Sequence, residues 1–385
     1  MKTIINGRLI IPDENGKFKV EDGLSISFDE KIKSIIPQDV LQSSSSSEII
    51  DAKGKFVSPG FINVHIHGCA GADTMDDNNE ALECMQRYLP NNGVTAFLPT
   101  TMTESLDNIK VALSRIIKAS KRHDKAFAKV LGANVEGPYI NPKYKGAQAE
   151  CNIRKPNFEE LSDFADIIRI MTVAPEMIED QNFVNLCLNS NIILSIGHSG
   201  TDYETALQAI SKGFSHVTHL FNAQTGLHHR KPGIVGAALD SNAVIELIAD
   251  NVHVHPMLQR LIWRVKDHSK IVLITDSLRA AGLGDGIFEL GGQRVQVKNS
   301  VATLEDGTIA ASVATMNEVL ARFSANVGSN VAETIGLVTK NPAKELNIYD
   351  ELGSLEVGKS ADLVIFDKNY KIYNTFVNGT NAITN

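Results

Sequence analysis

Residues 61–68 read FINVHIHG, an apolar run that ends in two histidines one residue apart. Successive side chains on a strand point to opposite faces, so His65 and His67 project from the same side. The run is rich in Val, Ile and Phe without clean apolar/polar alternation, as expected of a strand covered on both faces. Seven further runs share this character: VTAFLPT (94–100), KVLGANVEG (129–137), IIRIMTVAP (167–175), NIILSIGHS (191–199), HVTHLFN (216–222), VIELIAD (244–250) and KIVLITD (270–276). Amphipathic stretches at 79–88, 106–120, 202–212 and 257–268 lie between them. Strands alternating with helices predict an α/β architecture with a parallel sheet, and eight strands predict a (β/α)8 TIM-like barrel over 58–350.

The flanks read differently. TIINGRLII and KFKVEDGLSISF, near the N-terminus, are short β-prone runs punctuated by Asn6-Gly7 and Asn15-Gly16. Ser43 to Ser47 form a polar loop. ADLVIFD (361–367) and KIYNTFVNG (371–379) repeat the β style at the other end. Residues 1–57 and 351–385 are therefore expected to form one small β-sandwich domain from both chain ends.

With 385 residues, 43% of them hydrophobic, the chain can bury a large core. Its net charge of −8 and lack of a basic tract argue against a nucleic-acid partner. The N-terminus lacks the apolar core of a signal peptide, and no run reaches the ~20 apolar residues of a membrane span. Cys69, Cys84, Cys151 and Cys187 show no CxxC spacing, which predicts reduced thiols in a cytoplasmic protein. Cys69 is read as a small buried side chain, not a ligand. GLGDG (282–286) lacks the spacing of a nucleotide loop and reads as a flexible loop beside the site. NPAKELNI (341–348) reads as a helix N-terminus with Pro342 in its first turn.

The chemistry is expected at the C-terminal strand ends, where barrels of this type carry their sites. His65 and His67 end the first run, Glu136 the third, His198 the fifth and Asp276 the eighth, with His219 late in the sixth. Singly, each has an ordinary structural reading, such as a core histidine or a helix N-cap. Together, six polar groups at one rim are costly to bury unless they bind a cation. Imidazole and carboxylate ligands suit Zn, Fe, Mn or Ni. Such an ion lowers the pKa of bound water from ~15.7 toward ~7, and Asp276 is placed to carry the proton.

PGFINVHIHG (59–68), EGPYIN (136–141), GHS (197–199), THLFNA (218–223), ITDS (274–277) and GSLEVGKSADLVIFD (353–367) resemble the amidohydrolase superfamily. Within it, EGPYIN, THLFNA and HRKPG (229–233) are most similar to the N-acetylglucosamine-6-phosphate deacetylase family. The resemblance spans almost the whole chain. It implies Glu136, His198 and His219 as principal metal ligands and Asp276 as catalytic acid/base. It implies one or two divalent ions, the second at His65 and His67, with Glu136 bridging. It implies substrate contacts from Ala147, Asn222, Ala223, His253 and the backbone of Ile309, Ala310 and Ala311. Arg230 corresponds to an arginine that reaches the phosphate in a neighbouring subunit, which implies a homodimer. Gln148 stands where several members carry histidine. It is expected either to donate a weaker bond to the acetyl carbonyl or to leave that task to a second ion.

The expected reaction is deacetylation of N-acetyl-D-glucosamine 6-phosphate to D-glucosamine 6-phosphate and acetate, metal-bound hydroxide attacking the acetamide. In an acidic protein the phosphate needs a local basic site, and HHRKP (228–232) supplies one. Two other readings are a different amidohydrolase, acting on an N-acyl amino acid or cyclic amide, and a non-catalytic barrel scaffold.

Overall fold

The computed structural model describes residues 1–40, 48–122 and 126–383. The polar loop expected at Ser43–Ser47 lies outside these residues. Eight strands form the barrel: β1 (Phe61–Ile66), β2 (Val94–Thr101), β3 (Ala133–Glu136), β4 (Ile168–Val173), β5 (Ile193–Ile196), β6 (Phe214–Val217), β7 (Val244–Ile248) and β8 (Ile271–Ile274). Each pairs in parallel with the next. Closure between β8 and β1 is made just past the end of β8, where Asp276 N donates to the His65 carbonyl at 3.0 Å and His67 N to the Ser277 carbonyl at 3.0 Å. A two-residue strand, Lys129–Val130, adds to β2.

The helices follow from local sequence. In Leu106–Ser120, Ile109, Ala112, Leu113, Ile116 and Ala119 recur on one face and are buried, and the Ser105 hydroxyl caps the Asn108 N–H. Asp202 caps Tyr203–Ser211 in the same way. The link between β3 and β4 departs from the expected rhythm. It contains only short 3-10 turns, Pro142–Tyr144, Glu150–Asn152, Phe158–Glu160 and Ser162–Phe164. Pro142, Gly146 and Pro156 break any helical run there. GLGDG is a loop only in part. Gly286 opens an antiparallel sheet of Gly286–Leu290, Gln293–Lys298 and Val301–Thr303 that follows β8.

The chain ends join as two sheets. One runs Ile32–Pro37, Leu24–Phe28, Lys2–Ile5, Glu48–Asp51. The other contains Phe56–Pro59 between Leu363–Phe366 and Arg8–Pro12, so N- and C-terminal segments hydrogen-bond directly. Ile4, Leu9, Ile26, Phe28, Val57, Leu363 and Phe376 share a core there. Phe56–Pro59 continues into β1 through Gly60, where an added Cβ would lie 2.1 Å from Thr95 Oγ1. Helix Lys340–Glu345, with Pro342 inside it, closes the barrel foot. Asn341 Nδ2 donates to the Ile271 carbonyl at 2.7 Å, and Arg169 Nη2 to the Leu346 carbonyl at 2.6 Å. No helix among the described residues is long and apolar enough to cross a membrane.

Candidate metal centre

All six predicted residues meet at the C-terminal mouth of the barrel, and all are buried. His65 and Glu136 lie on β1 and β3, and His67 follows β1 directly. His198 and Asp276 do not end their strands as the sequence suggested, and His219 does not lie late within its own. Each lies two residues beyond, with positive φ of 46°, 27° and 47°. A left-handed conformation costs a non-glycine residue roughly 1–2 kcal/mol. It also turns the side chain off the strand's alternation and over the barrel axis. Three such residues at one rim mark a site where geometry outweighs local stability. Gly137, after Glu136, has φ +78°, and an added Cβ would meet Thr103 Oγ1 at 2.0 Å.

Glu136 is the hub. Its Oε1 lies 2.9 Å from His219 Nε2, 3.2 Å from His198 Nε2 and 3.5 Å from His65 Nε2. Its Oε2 lies 3.2 Å from His67 Nε2 and accepts from Gln148 Nε2 at 2.7 Å. Asp276 Oδ1 lies 3.2 Å from His67 Nε2 and 3.4 Å from His65 Nε2. Two groups of ligand atoms result, His65/His67/Asp276 and Glu136/His198/His219, each with its atoms within 4.8 Å of one another.

The ring tautomers suit a cation. His65 Nδ1 is 2.9 Å from Glu246 Oε2, His67 Nδ1 is 3.3 Å from the Thr100 carbonyl, and His198 Nδ1 is 2.9 Å from the Tyr144 carbonyl. A carbonyl or ionised carboxylate only accepts, so each Nδ1 carries a proton, and each Nε2 faces the centre, as a lone pair when the ring is neutral. His65 Nε2 is buried without a hydrogen-bond partner, and the Nε2 atoms of His198 and His219 stand 3.1 Å apart. These donors fit a divalent metal with nitrogen and oxygen preference.

The electrostatics agree. Burial opposes charge on His67 and His219, but hydrogen bonds donated to Asp276 and Glu136 outweigh it at His67, and one donated to Glu136 does so at His219, which rises to about 9. Burial likewise opposes ionisation of Glu136 and Asp276, yet the field of His65 and hydrogen bonds, from His198, His219 and His67 to Glu136 and from His67 to Asp276, hold both below the usual carboxylate range. The centre thus favours positive charge at its middle.

Beside it opens a cavity of about 170 Å³. Ala147, Gln148, Asn222, Ala223, His253, Ile309 and Ala311 line it, as do His67, Glu136, His198, His219 and Asp276. Ala310 does not; it is buried behind, its N–H donating to the Ala302 carbonyl at 3.0 Å. Arg230 also lies outside this cavity, exposed, with Nη1 2.7 Å from His229 Nε2. Gln148 faces the cavity, but both its polar ends are committed: Nε2 to Glu136, Oε1 to the Thr103 N–H at 2.7 Å. His253 Nδ1 is held by Asp250 Oδ2 at 2.7 Å. Sequence reasoning missed Met102, Gly146, Leu290 and Thr308 in the lining, and Glu246 behind His65. A glutamate inside the apolar run VIELIAD was the available signal for Glu246.

The amidohydrolase family model matches residues 56–382. The chain belongs to the amidohydrolase family. This amidohydrolase is 40% identical over 346 residues to an N-acetylglucosamine-6-phosphate deacetylase of Bacillus subtilis, covering 88% of this chain and 87% of that one. It is 34% identical over 336 residues to an N-acetylgalactosamine-6-phosphate deacetylase of Escherichia coli O157:H7, covering 86% of this chain and 89% of that one. The structure of N-acetylglucosamine-6-phosphate deacetylase from Pasteurella multocida superposes with a TM-score of 0.93 at 31% identity over the full length of both chains.

Proposed function

We propose that this amidohydrolase removes acetate from N-acetyl-D-glucosamine 6-phosphate, yielding D-glucosamine 6-phosphate. The observation that carries the reading is the convergence of four imidazoles and two carboxylates in two ligand groups beside one cavity, all but His65 at its wall. The relatives' activity on phosphorylated N-acetyl sugars supports the choice of substrate.

In this reading Glu136, His198 and His219 hold one divalent ion, and His65, His67 and Asp276 can hold another. A bound ion there supplies an acidified water and polarises the amide carbonyl. Asp276 takes the proton of the attacking water and returns it to the departing nitrogen. Gln148 keeps Glu136 oriented, leaving its own amide little freedom to reach the acetyl group. His253, fixed by Asp250, presents its outer nitrogen to the sugar, with Asn222, Ala223, Ala147, Ile309 and Ala311 shaping the rest. The set of ligands accommodates Zn, Fe, Mn or Ni. The setting we assign is the cytoplasm.

Acetate release from N-acetylglucosamine 6-phosphate, followed with and without a chelator, tests this directly. Turnover abolished by chelation and restored by added metal is expected. No release from this sugar or its galactosamine counterpart, alongside turnover of an N-acyl amino acid or cyclic amide, would transfer the activity to another amidohydrolase class. No metal and no turnover would leave a binding scaffold.

Arg230 sits outside its own cavity, so we assign it to the phosphate of a partner subunit in a homodimer. Arg230→Ala is expected to raise KM for the phosphorylated sugar by roughly 10- to 100-fold, the scale of losing a charge-assisted hydrogen bond pair. KM for the unphosphorylated sugar should hardly change. An equal rise for both sugars would remove the phosphate role.

A further inference from the structure

Behind the metal centre, a row of alternating acidic and imidazole groups runs through the barrel to its opposite end. His65 Nδ1 lies 2.9 Å from Glu246 Oε2, and the same oxygen accepts the His219 N–H at 3.1 Å. The other oxygen, Glu246 Oε1, stands 3.1 Å from His216 Nε2, an ion-pair contact not aligned as a hydrogen bond. His216 Nδ1 is 3.1 Å from Glu345 Oε1, on the helix that closes the barrel foot. His65, Glu246 and His216 are fully buried, and the Glu345 side chain is 12% exposed.

A carboxylate this deep is unfavourable unless paired and hydrogen-bonded. Glu246 has three partners, two of them on elements that carry metal ligands. We infer that Glu246 is a positioning residue for the cation at His65, His67 and Asp276, and that His216 and Glu345 hold it in place. Its oxygen fixes the proton of His65 on Nδ1, so that Nε2 faces the centre. It also grips the backbone at His219, whose φ is 27°. One carboxylate thus sets the ring of one group and the main chain of the other. His216, placed between two carboxylates, is favoured in its charged form, which offsets the charge of Glu246. Such partners of ligating histidines typically change metal affinity by about 10–100-fold when removed.

The inference rests on the metal-centre reading above, and the test separates the two. Glu246→Gln preserves size, and its carbonyl oxygen can still accept from His65 Nδ1 and from the His219 backbone N–H. The charge is lost, and with it the ion pair to His216, whose Nε2 can accept from the new amide only as a neutral ring. Metal content of the purified proteins and competitive chelator titration with Zn²⁺ are measured for the unmodified protein, His65→Ala and Glu246→Gln, with circular dichroism to verify folding. Two ions are expected in the unmodified protein and one in His65→Ala. In Glu246→Gln the weaker-held ion should bind about 10–100-fold less tightly, the other changing far less. His216→Gln, which removes the charge beyond Glu246, should shift the same ion in the same direction. Two ions of unchanged affinity in Glu246→Gln would overturn the role of Glu246 and leave the site intact. An ion count that His65→Ala does not alter would overturn the cation site there and this inference with it.

Discussion

Asp276→Asn is expected to keep an ion at Glu136, His198 and His219 and to lose ~10²–10⁴-fold in kcat, the range for a positioned acid–base group. Asparagine matches aspartate in size. The backbone that frames this position, with Asp276 N on the His65 carbonyl and Ser312 N on the Asp276 carbonyl at 2.8 Å, does not involve the side chain. The amide oxygen can still stand near His67 and His65. What the variant cannot do is accept a proton from the attacking water and return it to the leaving nitrogen. Metal analysis beside steady-state kinetics checks this. A variant with unchanged metal and unchanged kcat would remove Asp276 from proton transfer. Loss of metal together with activity would make it chiefly a ligand.

Glu136→Ala is expected to do more. Glu136 approaches all four imidazoles and Gln148, so its carboxylate stands between the side chains of both ligand groups. Without it, the imidazoles of the two groups lose the carboxylate between them, and a cation held there would lose an oxygen ligand. Metal content should fall close to zero after dialysis. Turnover should drop by roughly 10⁴-fold or more, as befits losing an ion that lowers the pKa of water from ~15.7 to ~7. Elemental analysis and acetate release are the measurements. Full metal content in the variant would show that the histidines suffice and that Glu136 is not the hub.

Much of this was legible in the sequence. The eight apolar runs all became barrel strands because burial on both faces leaves a local, continuous apolar signature. His65 and His67 both face Asp276, as a two-residue spacing in extended backbone directs. The link between β3 and β4 was read less well. Its prolines and glycine forbid a helix, but an alternating rhythm on either side suggested one. The sheet at 286–303 was missed for a related reason. Its strands are half exposed, with charged residues such as Arg294 and Lys298, and they resemble loop.

Which residue types would act, and that they would act together, could be read from composition and spacing along the chain. How they act depended on the third dimension. His198, His219 and Asp276 reach the centre through left-handed backbone that no strand pattern encodes. Gln148 proves to be tied to Glu136, and Arg230 to stand away from its own cavity, because loops are placed by what packs against them. Glu246 meets His65 across 181 residues of chain. Alternation and amphipathicity are properties of neighbours in sequence, whereas hydrogen bonds across a barrel exist only once it has closed.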